Sequence, residues 1–188
     1  MRKLVVTEFI SLDGVMEAPG GDDGYVHGAW TMPFWGDEIA EFKTAEMVAA
    51  DALLLGRVTY QGFAAAWPER SGDEFSDKMI SMEKFVASNT LTSAEWNNST
   101  ILRGDVVSAI KELKGRDGAD IIVHGSATLA QSLLRADLVD ELRLAIYPLT
   151  LGVGKKLFGP DTRLDFTAAE STLTGTGVTL TSYHRKPR

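Results

Sequence analysis

The residues best equipped for chemistry follow an apolar run at positions 52–55: Gly56, Arg57 and Thr59. Such a run reads as a strand buried on both faces, and positions 58–67 as a helix stopped by Pro68. A glycine at that junction lets the backbone turn. The helix start leaves its first amides without intrahelical partners and carries about half a positive charge. Arg57 adds a full charge and Thr59 a hydroxyl, a combination that can hold a phosphate; equally, Arg57 can pair with a surface carboxylate. The same plan recurs further on, with a strand at 119–123, the run His124-Gly125-Ser126-Ala127, and a helix at 128–135 capped by Ser126. Two junctions of this kind suggest a dinucleotide or a diphosphate. His124, at a strand end, is either a hydrogen-bonded core residue or a catalyst titrating near neutrality.

Several familiar signatures fail. Gly152-Val-Gly-Lys-Lys156 lacks the first glycine of a P-loop and the hydroxyl residue after the lysine. No G-x-G-x-x-G or G-x-S-x-G occurs. The three histidines stand apart, so no metal site is expected. The absence of cysteine excludes thiolate nucleophiles, disulfides and Cys-ligated metals, and fits a reducing, cytoplasmic setting.

The elements that must position these groups follow from composition and pattern. At 188 residues, with 44% hydrophobic and 24% charged residues, the chain can fold as one domain spanning 1–188 with a substantial core. A net charge of −7 argues against nucleic acid or an anionic membrane as partner. The apolar run at 4–10 is interrupted by Thr7 and Glu8 and no small-residue cleavage site follows, so neither a membrane span nor a signal peptide is expected.

A first strand at 3–12 ends in the Asp13-Gly14 turn. The glycine-rich stretch 15–36 carries Tyr25, Trp30, Met32, Phe34 and Trp35, which either cover an apolar ligand or plug a corner of the core. An amphipathic helix at 37–50 follows, with Ile39 and Phe42 on its apolar stripe. Helices at 74–82 and 106–114 and strands at 84–88, 99–102 and 139–147 complete an alternating series, which implies a largely parallel sheet. Strands at 164–173 and 178–185 read as an antiparallel pair across a Thr174 to Gly177 turn.

Taken in order, six segments resemble the dihydrofolate reductase-like superfamily. They are Ser11-Leu-Asp-Gly14, Leu55-Gly-Arg-Val-Thr-Tyr60, Lys84-Phe-Val-Ala-Ser-Asn-Thr-Leu91, Gly125-Ser126 with its helix, Leu138-Val-Asp-Glu-Leu142, and Pro148-Leu-Thr-Leu-Gly-Val-Gly-Lys-Lys-Leu-Phe158. Within that superfamily the likeness is to stand-alone relatives of the C-terminal reductase domain of the riboflavin-biosynthesis deaminase/reductase. The resemblance implies an α/β fold: a mixed, mostly parallel eight-stranded sheet flanked by helices, with an antiparallel C-terminal strand pair. It implies NADPH at the carboxyl ends of the strands, with Gly56, Arg57, Val58 and Thr59 on one side of the phosphates and Gly125, Ser126 and Ala127 on the other. Ser88 and Asn89 fall where relatives hold the adenosine 2′-phosphate, Asn89 standing where many carry arginine, with Arg103 as a possible substitute.

At the reacting end the resemblance places Asp13 beside the nicotinamide and Glu38 near the acid that assists protonation. Trp30, Phe34, Phe42 and Tyr147 become substrate walls. Asp13 also reads as a plain turn residue, and Glu38 as a helix N-terminal carboxylate. The implied activity is hydride transfer from NADPH to a small heterocycle, pterin- or aminouracil-like, of the 5-amino-6-(5-phosphoribosylamino)uracil reductase type. The alternative is a non-catalytic nucleotide- or ligand-binding protein of the same fold. Relatives are commonly homodimers.

Overall fold

A computed structural model describes residues 1–21, 24–160 and 163–186 of the chain. Asp22 and Asp23 of the glycine-rich stretch lie outside the described residues. Among the described residues, five α-helices and eight strands follow one another in the order β1 (Leu4–Ser11), α1 (Asp37–Val48), β2 (Ala50–Gly56), α2 (Arg57–Ala66), α3 (Glu74–Ser81), β3 (Glu83–Ala87), β4 (Ser99–Leu102), α4 (Val106–Gly115), β5 (Asp120–His124), α5 (Ala127–Arg135), β6 (Glu141–Tyr147), β7 (Phe166–Leu173) and β8 (Thr179–Arg185). The strands form one sheet in the order β4-β3-β2-β5-β1-β6-β8-β7. β1 to β6 run parallel, and β8 pairs antiparallel with both β6 and β7, the mixed arrangement expected of the sequence. No helix among the described residues is long and apolar enough to cross a membrane.

Successive strand side chains point to opposite faces, and both faces of the central strands are covered. Leu4, Val6, Leu54, Ile121 and Val123 pack with Ile110 of α4 and Leu133 of α5. Val5, Leu53, Leu55 and Ile122 pack with Met47 of α1, Tyr60 of α2 and Met79 of α3. Leu53, Leu54 and Leu55 are wholly buried, which is why that run has no polar alternation. Truncating any one of them to alanine costs about 2–5 kcal/mol.

The capping differs from helix to helix, and this matters for function. Asp73 and Asp105 accept from the amides of Ser76 and Ser108, closing the starts of α3 and α4. α1, α2 and α5 begin with no side-chain cap, and of these α2 and α5 follow the adjacent strands β2 and β5. Ser126, expected as a cap, instead adopts a left-handed backbone (φ 64°, ψ 59°) and directs its hydroxyl elsewhere. α1 also departs from its expected stripe: its buried residues are Ile39, Lys43, Glu46 and Met47, so a lysine and a carboxylate lie on the inner face.

Candidate functional site

The parallel strands β2, β3 and β5 end on the same side of the sheet, and a crevice of about 2270 Å³ opens there. That exceeds a small-ligand pocket of ~300–1,000 Å³ and leaves room for a dinucleotide and a second molecule. Because β2 and β5 are neighbours, the two strand-to-helix junctions lie side by side. The Ser126 hydroxyl accepts from the Gly56 amide at 2.7 Å and donates to Thr59 Oγ1 at 2.8 Å. Both glycines are required by this proximity. A Cβ on Gly56 would sit 2.9 Å from Ser126 Oγ, and one on Gly125 (φ +60°) would sit 2.9 Å from Thr59 Oγ1.

One expectation is corrected by these bonds. The amide of Gly56 is already used by Ser126 Oγ, and that of Gly125 pulls down the pKa of the buried Glu8 carboxyl. The uncapped amides are those of the first turns of α2 and α5, beginning at Arg57 and Ala127. Arg57 is exposed, and its guanidinium rests on Gln61 Oε1 at 2.9 Å.

Gly56, Arg57, Val58, Thr59, Ser88 and Asn89 all line the crevice, as do Gly125, Ser126 and Ala127. At the outer end, Ser88 Oγ accepts from the amides of Thr90 and Leu91, and Asn89 Oδ1 from that of Gly104. Arg103 is turned away from this end and donates to the Leu91 carbonyl at 2.6 Å.

The residues expected at the reacting end lie elsewhere. Asp13 is a staple: it accepts from Ser11 Oγ at 2.6 Å and from the amides of Leu151 and Gly152 at 3.1 and 2.8 Å. Those bonds hold its carboxyl at about 2. Glu38 is exposed and accepts from the Gly175 amide at 2.9 Å, tying α1 to the β7–β8 turn outside the crevice. Trp30, Phe34, Phe42 and Tyr147 form a third core cluster instead of a ligand wall. Trp30 and Phe34 stand edge-on to the wholly buried Tyr147, with ring centroids 5.1 and 5.7 Å apart. From the aromatic loop, Met32 and Trp35 reach the crevice. The loop therefore does both jobs considered for it, plugging and lining.

In their place stands a polar floor where β5 ends beside the middle of β1. Thr7 Oγ1 donates to Glu46 Oε2 at 2.7 Å, Lys43 Nζ lies 2.8 Å from the same carboxylate, and Lys43 also donates to Thr7 Oγ1. His124 pairs in register with Thr7, and its Nε2 is buried without a partner. Burial, with Lys43 nearby, drives its pKa well below the ordinary value. Glu8 is 6% exposed and its Oε1 has no partner. Burial pushes Glu8 up to about 8, against the pull of Lys43 and the Gly125 amide. A side branch leads off this floor past Phe63, which lies 6.3 Å from the His124 ring, to Trp67 and Phe75, whose centroids are 5.4 Å apart. Arg70 lies over Trp67 at 4.6 Å.

Most of this second set was hidden in the sequence. Phe63 on α2 and Trp67 at its C-cap, four apart, were the one local signal for an aromatic wall. Glu8, in the middle of an apolar strand, was another: a carboxylate there faces desolvation.

The B. subtilis protein YyaP, itself uncharacterized, is 25% identical over 188 residues, covering 97% of this chain and 95% of YyaP. A crystal structure of a putative riboflavin biosynthesis protein from Shewanella sp. PV-4 matches 98% of this chain and 99% of its own, with 25% identity and a TM-score of 0.71. Dihydrofolate reductase from Enterococcus faecalis, complexed with NADP(H), shares the fold at 16% identity, with a TM-score of 0.63 over 98% and 97% of the two chains. The RibD C-terminal domain model matches residues 2–180, and the chain belongs to that family.

Proposed function

We propose that this chain is an NADPH-dependent reductase, one domain throughout, that reduces a small flat heterocycle of pterin or aminouracil type. The observation that carries the reading is the Ser126 hydroxyl joining the Gly56 and Thr59 junction to its own, which sets two uncapped helix starts at one crevice. Family membership supports a reductase-type role. The residues fit a dinucleotide: two glycines whose side chains would block the approach, an arginine at the mouth, and two helix starts that favour anions. Arg57, Val58 and Thr59 would hold the phosphates from one side, and Ser126 and Ala127 from the other. Ser88 and Asn89 would meet the adenosine end. When bound, the reduced nicotinamide supplies a hydride.

The acceptor's place is the mouth of the aromatic branch, where β5 ends and Glu8 and His124 border the same crevice from opposite faces of the sheet. Phe63, Trp67 and Phe75 offer flat apolar walls, while Thr7, Lys43 and His124 offer hydrogen bonds at its inner end. Burial of that floor excludes water from the reacting groups. The assembly proposed is a homodimer, which sedimentation tests.

Fluorescence titration with NADPH and NADH tests the cofactor. Arg57→Ala should weaken NADPH about tenfold or more, the loss of one charge-assisted contact; unchanged affinity removes Arg57 from the phosphates. Oxidation of NADPH is then followed over a panel of aminouracils and dihydropterins. Binding with no oxidation across the panel supports the non-catalytic alternative.

A further inference from the structure

β5 ends at His124, whereas β1 continues to Ser11 paired only with β6. Glu8 is the first β1 residue beyond the β5 pairing, so its carboxyl lies where the sheet opens into the crevice. The Gly125 amide, inside the junction assigned to the phosphates, favours the charged form of this carboxyl, and its Oε1 is buried with nothing to bond. The charges nearest to it are spoken for. Lys43 and Glu46 of α1 bind each other, and His124 of β5 points to the opposite sheet face. β6 sets Leu144 opposite Glu8, and α5 opens with Ala127 and Thr128, so neither element brings a charge.

We propose that Glu8 is the proton carrier of this crevice: an anion at Gly125 and Ser126 secures the proton on its carboxyl, and the reduced acceptor receives it. The inference rests on the reductase reading and deepens it. A phosphate beside the Gly125 amide disfavours the carboxylate form of Glu8, so binding draws a proton from solvent. The supplied hydride adds to the carbon of a polar C=N or C=O bond. The electron pair of that π bond moves to the heteroatom, which takes the Glu8 proton. The carboxylate left behind recovers a proton from water. The acceptor is thus an imine or carbonyl type, whose reduction needs one proton per hydride.

The test is calorimetric. NADPH is titrated near pH 8, where Glu8 is half-ionised and the cofactor phosphates are fully ionised, in Tris and in EPPS, which differ in heat of ionisation. Net uptake of a fraction of a proton per NADPH is expected in the wild type and none in Glu8→Gln. Difference infrared spectra on the wild type guard against a variant that fails to fold. A protonated-carboxyl band should vanish as pH rises through about 8 and return when NADPH is added. Binding with equal heats in both buffers, uptake that persists in Glu8→Gln, or no such band overturns the proposal alone. No NADPH binding overturns the reductase reading, and this proposal with it.

Discussion

The Gly56 amide donates to the Ser126 hydroxyl at 2.7 Å, across two strands whose residues are 70 apart in sequence. The same oxygen donates onward to Thr59, so one hydroxyl is shared by the end of β2, the first turn of α2 and the start of α5. Of the two junction glycines, Gly56 and Gly125, the first already uses its amide on Ser126. Their role is to let the junctions approach, and the helix starts behind them carry the positive field.

Ser126→Ala should therefore act in two ways. It leaves the Gly56 donor without its partner, which costs about 1–3 kcal/mol in a chemical-denaturation curve. It also frees α2 and α5 to separate, so NADPH affinity should fall by more than the stability loss alone accounts for. Equal NADPH titrations for variant and wild type would show that the bridge does not organise the cofactor end.

The two junctions proposed to hold the cofactor were legible in the sequence because each is local. A buried strand, a glycine, and a helix start with Arg57 and Thr59 all lie within a dozen residues, and the fold follows from the alternation of such units. The floor proposed for the reacting end was not legible. Lys43 looks like the outer face of a helix, and Glu46 only shares a stripe position with Ala45, until Thr7 and His124, from two different strands, meet them from below. Asp13, Glu38 and Tyr147 have the right chemistry, but long-range bonds to the 149–152 loop, to the Gly175 amide and to the third core cluster use them up. No sequence pattern encodes partners that lie more than a hundred residues away.

Tyr147→Phe separates a core role from a binding role. The ring is fully buried among Phe9, Trp30 and Phe34, while its hydroxyl has no partner and burial pushes its pKa upward. Removing that oxygen keeps the packing and deletes a desolvated polar group, so stability should rise by about 1 kcal/mol. NADPH affinity should not change. A weaker ligand titration with unchanged stability would return Tyr147 to the site.

Asp13→Ala should loosen the 149–152 loop without touching the cofactor. Three hydrogen bonds hold this carboxyl in its charged form, so its contribution is present above the ordinary aspartate value of 3.8 and is lost as pH falls through about 2. The expected result is a lower Tm at neutral pH, a variant–wild-type gap that closes in acid, and an intact NADPH titration below Tm. Loss of NADPH binding by a folded Asp13→Ala protein would place the carboxylate at the cofactor after all.

The two buried titrating groups act on stability with opposite signs. Unfolded Glu8 loses its proton above 4.5 while folded Glu8 keeps it to about 8, so stability declines as pH rises through that window and then levels. Unfolded His124 gains a proton below 6.5 while folded His124 stays neutral well below that, so stability declines as pH falls from 6.5. Each slope is at most about 1.4 kcal/mol per pH unit. Between 4.5 and 6.5 the two oppose each other, which should leave denaturation midpoints nearly flat there and falling from 6.5 to 8. Glu8→Gln should abolish the alkaline decline and unmask the acid one. His124→Gln should do the reverse, giving a continuous fall from 4.5 to 8. Parallel pH profiles for the two variants would mean that neither group titrates as its burial requires.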